Sequence, residues 1–463
     1  MKVKRLKMTA FRGISDLTLE FPTDESTVLI GVNGVGKSSI LDCLAILLSQ
    51  LTGIIQSSLE AIRSFSEQDI TNGKQQTHNE ITIFLDEREV NWSLTEDRKR
   101  VIKSREALQV LSKSLIEEIL HQMPLIVSVP AQILIEQVKA NKQWQDINRD
   151  NPALQVVVDE LRTQLAENPE TKLPLAVYYP VNRAVLEIPL EILEEHQFEQ
   201  IDTYDRALTG GRIDFKSFFE WFRNREDVEN EELRDNPEHR DHQLQTVRNA
   251  VYSVLDDKEK NFSNLRVRRS PLQMTITKLG QELIVNQLSD GEKCLLAMVG
   301  DLARRLAIAN PSLPDPLQGS GVVLIDEIEL HLHPKWQREI IPALTRTFPN
   351  CQFIVTTHSP QVISQVKPEG IYILERTDDG IVAMRPESSY GRDSNRILED
   401  LMDTPERPQE IKESLLELFR LIARGELDSA RQLHQKIADE IGADEPELVG
   451  ATVSIRRREI LGR

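Results

Sequence analysis

Gly31-Val32-Asn33-Gly34-Val35-Gly36-Lys37-Ser38 is the stretch whose reading decides the fold. It satisfies G-x-x-x-x-G-K-[ST] in full. An apolar β-type run, Val28 to Ile30, leads into it, and an apolar helical pattern, Ser38 to Leu48, follows. Glycines at this spacing let consecutive backbone N–H groups curl around phosphate oxygens without interference from a Cβ. The following helix turns its positive N-terminal end toward the same anion. In this pattern Lys37 reaches the β- and γ-phosphates and the Ser38 hydroxyl ligates Mg²⁺. Asn33, Gly34, Val35, Gly36, Lys37, Ser38 and Ser39 are therefore expected on the phosphates of a bound ATP. The bland alternative is a glycine-rich surface turn, and the strand before and helix after argue against it.

Two further stretches, far along the chain, complete the pattern. Gly321-Val322-Val323-Leu324-Ile325 reads as a buried strand ending in Asp326-Glu327. Such a strand delivers both carboxylates to the sheet edge where a phosphate loop lies. Asp326 is expected to hold the magnesium shell and Glu327 to act as general base toward the attacking water. Upstream, Leu288-Ser289-Asp290-Gly291-Glu292 precedes the helical run Lys293 to Met298. The Ser289 hydroxyl, the Gly291 N–H and the helix end together make a second anion site, although Ser-Asp-Gly-Glu alone also reads as a helix cap. Ser289, Asp290, Gly291 and Glu292 are accordingly expected at the nucleotide.

Composition narrows the class. The 463 residues carry 40% hydrophobic and 28% charged side chains, ordinary for a globular protein with two or three domains. No uninterrupted apolar run approaches a membrane span, and the basic start, Met1 to Lys7, leads into an alternating strand pattern rather than a signal peptide. Three widely spaced cysteines, Cys43, Cys294 and Cys351, argue against a disulfide framework and for a cytoplasmic setting. A net charge of −18 disfavours a surface that grips nucleic acid over its whole area. Small basic clusters at Lys2/Lys4/Arg5/Lys7, Arg266/Arg268/Arg269 and Arg456/Arg457/Arg458 read first as solvated surface.

The expected fold class is α/β, a mixed sheet with flanking helices, helical insertions and a helical C-terminal tail. Residues 1–95 form the first part of the head around the phosphate loop, and 96–173 a helical insertion with an apolar stripe at Leu108, Leu111, Leu115 and Ile119. Residues 174–190 return a strand, Leu175 to Tyr179, to the head, and 191–261 form a second insertion rich in charge and aromatics. Residues 262–385 close the head with the strands Val322 to Ile325 and Gln352 to Thr356, and 386–463 carry three amphipathic patterns after Pro408.

With these motifs in place, the chain resembles the ABC-type, AAA-family ATPases of the SMC, Rad50 and RecF branch. The resemblance implies that Arg12, in Phe11-Arg12-Gly13, lies near the nucleotide and that His358, in Thr356-Thr357-His358-Ser359-Pro360, is the catalytic switch histidine sensing the γ-phosphate. It matches Gln68 to the metal-sensing glutamine of the Q-loop. In that fold the phosphate loop and the signature serine lie on different lobes, which implies a twofold homodimer or higher homo-oligomer closing on ATP. Leu324 to Gln337, Gln287 to Lys293 and Asp301 to Leu306 are more closely similar to ATPase subunits of anti-phage defence systems, Septu and the retron-associated ones. That likeness implies a partner HNH-type nuclease, with nucleic acid engaged through the complex and no membrane. The competing expectation is a RecF- or Rad50-like repair ATPase acting directly on DNA. His331 and His333 are read as part of a D-loop at the subunit contact rather than as zinc ligands.

Overall fold

The computed structural model describes residues 1–86, 88–98, 151–168, 170–183, 198–211, 213–255, 261–378 and 380–461. They form two compact units, Met1–Gly391 and Arg392–Arg463. The apolar stripe expected at Leu108 to Ile119 lies outside the described residues.

The first unit opens with a sheet made from neighbouring sequence. Strands β1 (Lys2–Phe11), β2 (Ile14–Glu20), β4 (Gln76–Leu85) and β5 (Arg88–Asp97) pair in the order β2-β1-β4-β5, each contact antiparallel. The alternation in β1, with Leu6 and Met8 inward and Lys7 outward, marks a sheet buried on one face.

The second sheet is built differently. Strands β3 (Thr27–Ile30), β6 (Leu175–Tyr179), β10 (Gly321–Ile325) and β11 (Cys351–Thr356) are buried at every position. Continuous apolar runs of this kind need cover on both faces, and these strands pair in parallel. With β12 (Ile371–Thr377) and β13 (Gly380–Met384) they take the order β13-β12-β3-β11-β10-β6. The strand ahead of the phosphate loop therefore lies between two strands from the far end of the unit.

Helix α1 (Lys37–Gln56) follows the loop and is buried almost all round, packing against strands of both sheets. Among the described residues it is the one helix long and apolar enough to cross a membrane, and here it forms the core. Helix α2 (Pro152–Glu167) rests on it through Leu154, Val158 and Leu161.

The aromatics of the second insertion are structural. Helix α3 (Phe215–Asp235) buries Phe215, Phe218, Phe219, Trp221 and Phe222, and α4 (His242–Leu255) packs along α5 (Asp290–Ala309). The Phe218 ring would lie 2.9 Å from a Cβ at Gly300 of α5, so this segment walls the head. A third sheet of β7 (Ser263–Arg269), β8 (Leu272–Lys278) and β9 (Gln281–Ile284) leads into α5. This sheet is not among the strands expected from the sequence, although β7 alternates Leu265 and Val267 with arginines as a half-buried strand does. Beyond α5 come α6 (Pro334–Thr347) and the single turn α7 (Pro360–Ile363).

The second unit starts at Arg392 and contains α8 (Ser394–Met402), α9 (Gln409–Arg424), α10 (Leu427–Ile441) and α11 (Pro446–Leu461). Its core joins Leu415, Leu418 and Ile422 to Ala430, Ile437, Leu448, Ala451 and Ile455. The three helices after Pro408 are those the periodicity anticipates.

Candidate nucleotide site

The phosphate loop leaves β3 at Gly31, where φ is 145° and a Cβ would stand 2.5 Å from the Leu374 carbonyl oxygen. No other residue fits that close approach. Val35 turns into the core and anchors the loop, while Asn33, Gly34 and Ser38 are exposed and Ser39 is half-buried. Helix α1 starts after Gly36 with no side-chain cap and no acidic residue in its first turn. Among the described residues, no side-chain cap therefore occupies its leading N–H groups. Lys37 folds back over the loop, its Nζ donating to the carbonyls of Gly31 at 2.8 Å and Val32 at 3.1 Å. Burial lowers the Lys37 pKa, and Asp326, Glu327 and Glu329 offset this only in part.

The acidic turn is held from three sides. The Asp326 N–H donates to Tyr179 O at 2.9 Å, which keys the turn to β6. Thr356 Oγ1 donates to Asp326 Oδ1 at 2.5 Å and accepts from the Glu327 N–H at 2.7 Å. Arg183 donates to the Asp326 carbonyl and, at 2.7 Å, to the Glu327 carbonyl. Glu327 has φ of 45°, a left-handed conformation uncommon for a residue with a Cβ and costly unless its surroundings enforce it.

The turn continues into the neighbouring motifs. The Glu329 carboxylate accepts from Thr357 Oγ1 at 2.7 Å and from the His358 N–H at 2.6 Å, fixing the backbone that carries the half-buried His358. His331 presents its carbonyl to Gly291, where a Cβ would stand 2.5 Å away. His333 caps α6, its Nδ1 accepting from the Lys335 N–H at 3.3 Å. Each histidine of the pair thus has a local backbone role.

Ser289 is the N-cap of α5 and closes a capping box. Its Oγ accepts from the Glu292 N–H at 3.4 Å, while Glu292 Oε2 accepts from the Ser289 N–H at 3.1 Å. Glu292 is consequently turned inward and pairs with Lys278 at 2.8 Å. Glu292 is expected from the sequence at the nucleotide; its side chain points back to the cap, where it shapes the turn that presents Ser289. Burial pushes the Glu292 carboxyl upward, yet Lys278 and the Ser289 groups outweigh it and hold it below the ordinary carboxylate range. Asp290 and Ser289 are exposed, and Lys293 holds the Asp290 carboxyl down through a 2.8 Å ion pair.

Arg12 is already engaged. Its Nε donates to Asp69 Oδ1 at 2.6 Å and its Nη1 pairs with Asp42 Oδ2 at 2.6 Å, while Arg63 shares Asp42. Burial works against the charge, but Asp42 and Asp69 outweigh it and hold the guanidinium above the ordinary arginine range. Gln68 sits exposed on the 3₁₀ turn Glu67–Asp69, next to the residue that holds Arg12.

Sequence reasoning misses Arg183, Thr356, Glu329, Asp42 and Asp69. Asp42 is the fourth residue after Ser38, a spacing of about one turn that puts both on the same side of α1. Arg183 leaves only a faint trace, the polar Asn182-Arg183 after an apolar strand.

A family model described as an AAA ATPase domain matches residues 1–363. The chain belongs to that family. It is an ATPase. The chain is 30% identical to the "Retron Ec83 probable ATPase" of Escherichia coli, over 99% of its own length and 87% of the relative's. It is 27% identical to the "Septu protein PtuA" of Bacillus thuringiensis over 36% of this chain and 45% of that one. An SMC head domain from Thermotoga maritima is similar over 84% of this chain and 100% of its own, at 14% identity and a TM-score of 0.40.

Proposed function

We propose that the chain hydrolyses ATP·Mg²⁺ between two copies of itself and that this cycle regulates a partner nuclease, HNH-type, in cytoplasmic anti-phage defence. The observation that carries the reading is the pairing of two helix starts in one unit. Helix α1 offers its first turn uncapped behind a glycine loop, and α5 offers Ser289 exposed at its cap. Lys37 of one copy and Ser289 of its twin then hold the γ-phosphate from opposite sides, with Asp290 and the Gly291 N–H beside Ser289.

Ser38 and Asp326 supply hard oxygen donors suited to magnesium. Among the described residues no group of three or more His, Cys, Asp or Glu side chains could hold a metal ion. Two protein oxygens completed by phosphates and water are the usual magnesium arrangement. Glu327 takes the proton of the attacking water, His358 meets the γ-phosphate, and Arg12 joins the nucleotide on release from a carboxylate. The retron and Septu names of the relatives support the defence setting.

Glu327→Gln tests the reading, because it should retain ATP while losing turnover by about 10²–10⁴. With ATP it should elute as a stable dimer or larger assembly in size-exclusion chromatography. A nucleotide-loaded variant that stays monomeric would overturn the composite site. Direct action on DNA is the competing reading, and it predicts ATP-dependent DNA affinity with a steep salt slope for the isolated chain. Two arginines of the Arg266/Arg268/Arg269 cluster are already paired, Arg268 with Glu282 and Arg269 with Asp227, which favours the nuclease-linked reading.

A further inference from the structure

Arg183 ends the short turn Val181–Arg183 directly after β6, and is 4% exposed. Strand β6 pairs with β10 in a register that sets Tyr179 opposite Ile325, so this turn runs beside the acidic turn at the sheet's C-terminal edge. Its guanidinium makes three backbone contacts. Nη1 donates to Pro180 O at 3.2 Å and to Asp326 O, and Nη2 donates to Glu327 O at 2.7 Å. The two peptide carbonyls that follow Asp326 and Glu327 are thus gripped by one planar fork.

Glu327 needs such a grip. Its φ of 45° lies in the left-handed region. Thr356 holds the N–H groups of Glu327 and Ile328. The Glu327 carbonyl, which also accepts from the Leu330 N–H at 3.0 Å, receives its one side-chain donor among the described residues from Arg183. A rigid fork can fix two carbonyls at once, whereas an ammonium reaches them one at a time. The charge also feels Cys294 on α5 and the carboxylates of Asp326, Glu329 and Glu327. Burial lowers the Arg183 pKa and these neighbours offset it in part, as expected of a cation kept inside for a purpose other than surface charge.

We propose that Arg183 is a positioning residue for hydrolysis, clamping the carbonyls of Asp326 and Glu327 so that the Glu327 carboxylate is aimed at the attacking water. The proposal rests on the general-base reading of Glu327. A purely structural arginine would contribute to folding and to ATP binding alike. A positioning arginine contributes to the chemical step, where small misplacements are costly.

The test uses the full chain with Arg183→Lys and Arg183→Met, each alone and combined with Glu327→Gln. The readouts are single-turnover hydrolysis, ATP binding and thermal melting. Arg183→Lys should lower the hydrolysis rate by about tenfold, and Arg183→Met by more, with ATP affinity within about threefold of wild type. In the Glu327→Gln background Arg183→Lys should add less than about twofold, since both act through one carboxylate. Should Arg183→Met unfold, the lysine variant, which keeps a buried cation, carries the test. A wild-type rate in Arg183→Lys, an equal loss of ATP affinity, or effects that multiply in the double variant would each overturn the proposal. A wild-type rate in Glu327→Gln alone would instead strike the general-base reading itself.

Discussion

The two helices to which the proposed site assigns the nucleotide are each 20 residues long, yet they begin in opposite ways. Helix α1 starts from a glycine at φ 108° with nothing capping it and no acid in its first turn. Helix α5 starts from a serine whose cap is closed by its own third residue, with Asp290 and Glu292 both in the first turn. Acids in a first turn complement the helix dipole and weaken the pull on an incoming anion. The first helix can therefore grip phosphate unaided, and the second becomes useful only where another element has already brought the phosphate in. That asymmetry suits a site completed across two copies, with affinity assigned to α1 and the timing of hydrolysis to α5.

Several experiments can break this comparison. The largest effect is expected from Lys37→Ala, which should weaken ATP binding by about 10²-fold, since a charge-assisted contact to phosphate is lost. Unchanged affinity in a nucleotide titration would remove α1 from its assigned part. Ser289→Ala should lower turnover by about tenfold while leaving ATP affinity near wild type. An affinity loss matching that of Lys37→Ala would erase the distinction between the two helices. The same substitution should cost about 1 kcal/mol of stability through the lost cap, readable as a lower urea midpoint.

The smallest effect sharpens the comparison through pH. Glu292 sits below its ordinary value of 4.5, so its contribution is fully present above that pH and is lost as pH falls through the folded value. Glu292→Gln should cost about 1 kcal/mol at neutral pH and approach wild type as the medium becomes acidic. A gap between the two proteins that persists unchanged into acid would mean that the capping carboxylate is not what holds this turn.

Much of the head is legible in sequence because its chemistry sits in contiguous runs. The loop before Lys37, the strand ending in Asp326-Glu327 and the return strand Leu175–Tyr179 each announce themselves by local pattern. What escapes is whatever another element supplies. Arg183 reaches the acidic turn only because β6 happens to lie beside β10, a pairing that no spacing along the chain reveals. Asp42 and Asp69 find Arg12 for the same reason, across α1 and a 3₁₀ turn. Glu292 is a different lesson. Its motif is expected at the nucleotide and also reads as a capping box, and the geometry of the helix start shows the Glu292 side chain closing that box.

The position of β3 has a consequence for how the chain is made. Its neighbours β11 and β12 come from Cys351–Thr356 and Ile371–Thr377, more than three-quarters of the way to the C-terminus. The four-stranded sheet of residues 2–97 can assemble while the ribosome is still translating the insertions, because all of its partners have emerged. The phosphate loop cannot take its final form until residue 377 has left the exit tunnel. A truncated nascent chain would carry the whole glycine motif without either of the strands that flank β3.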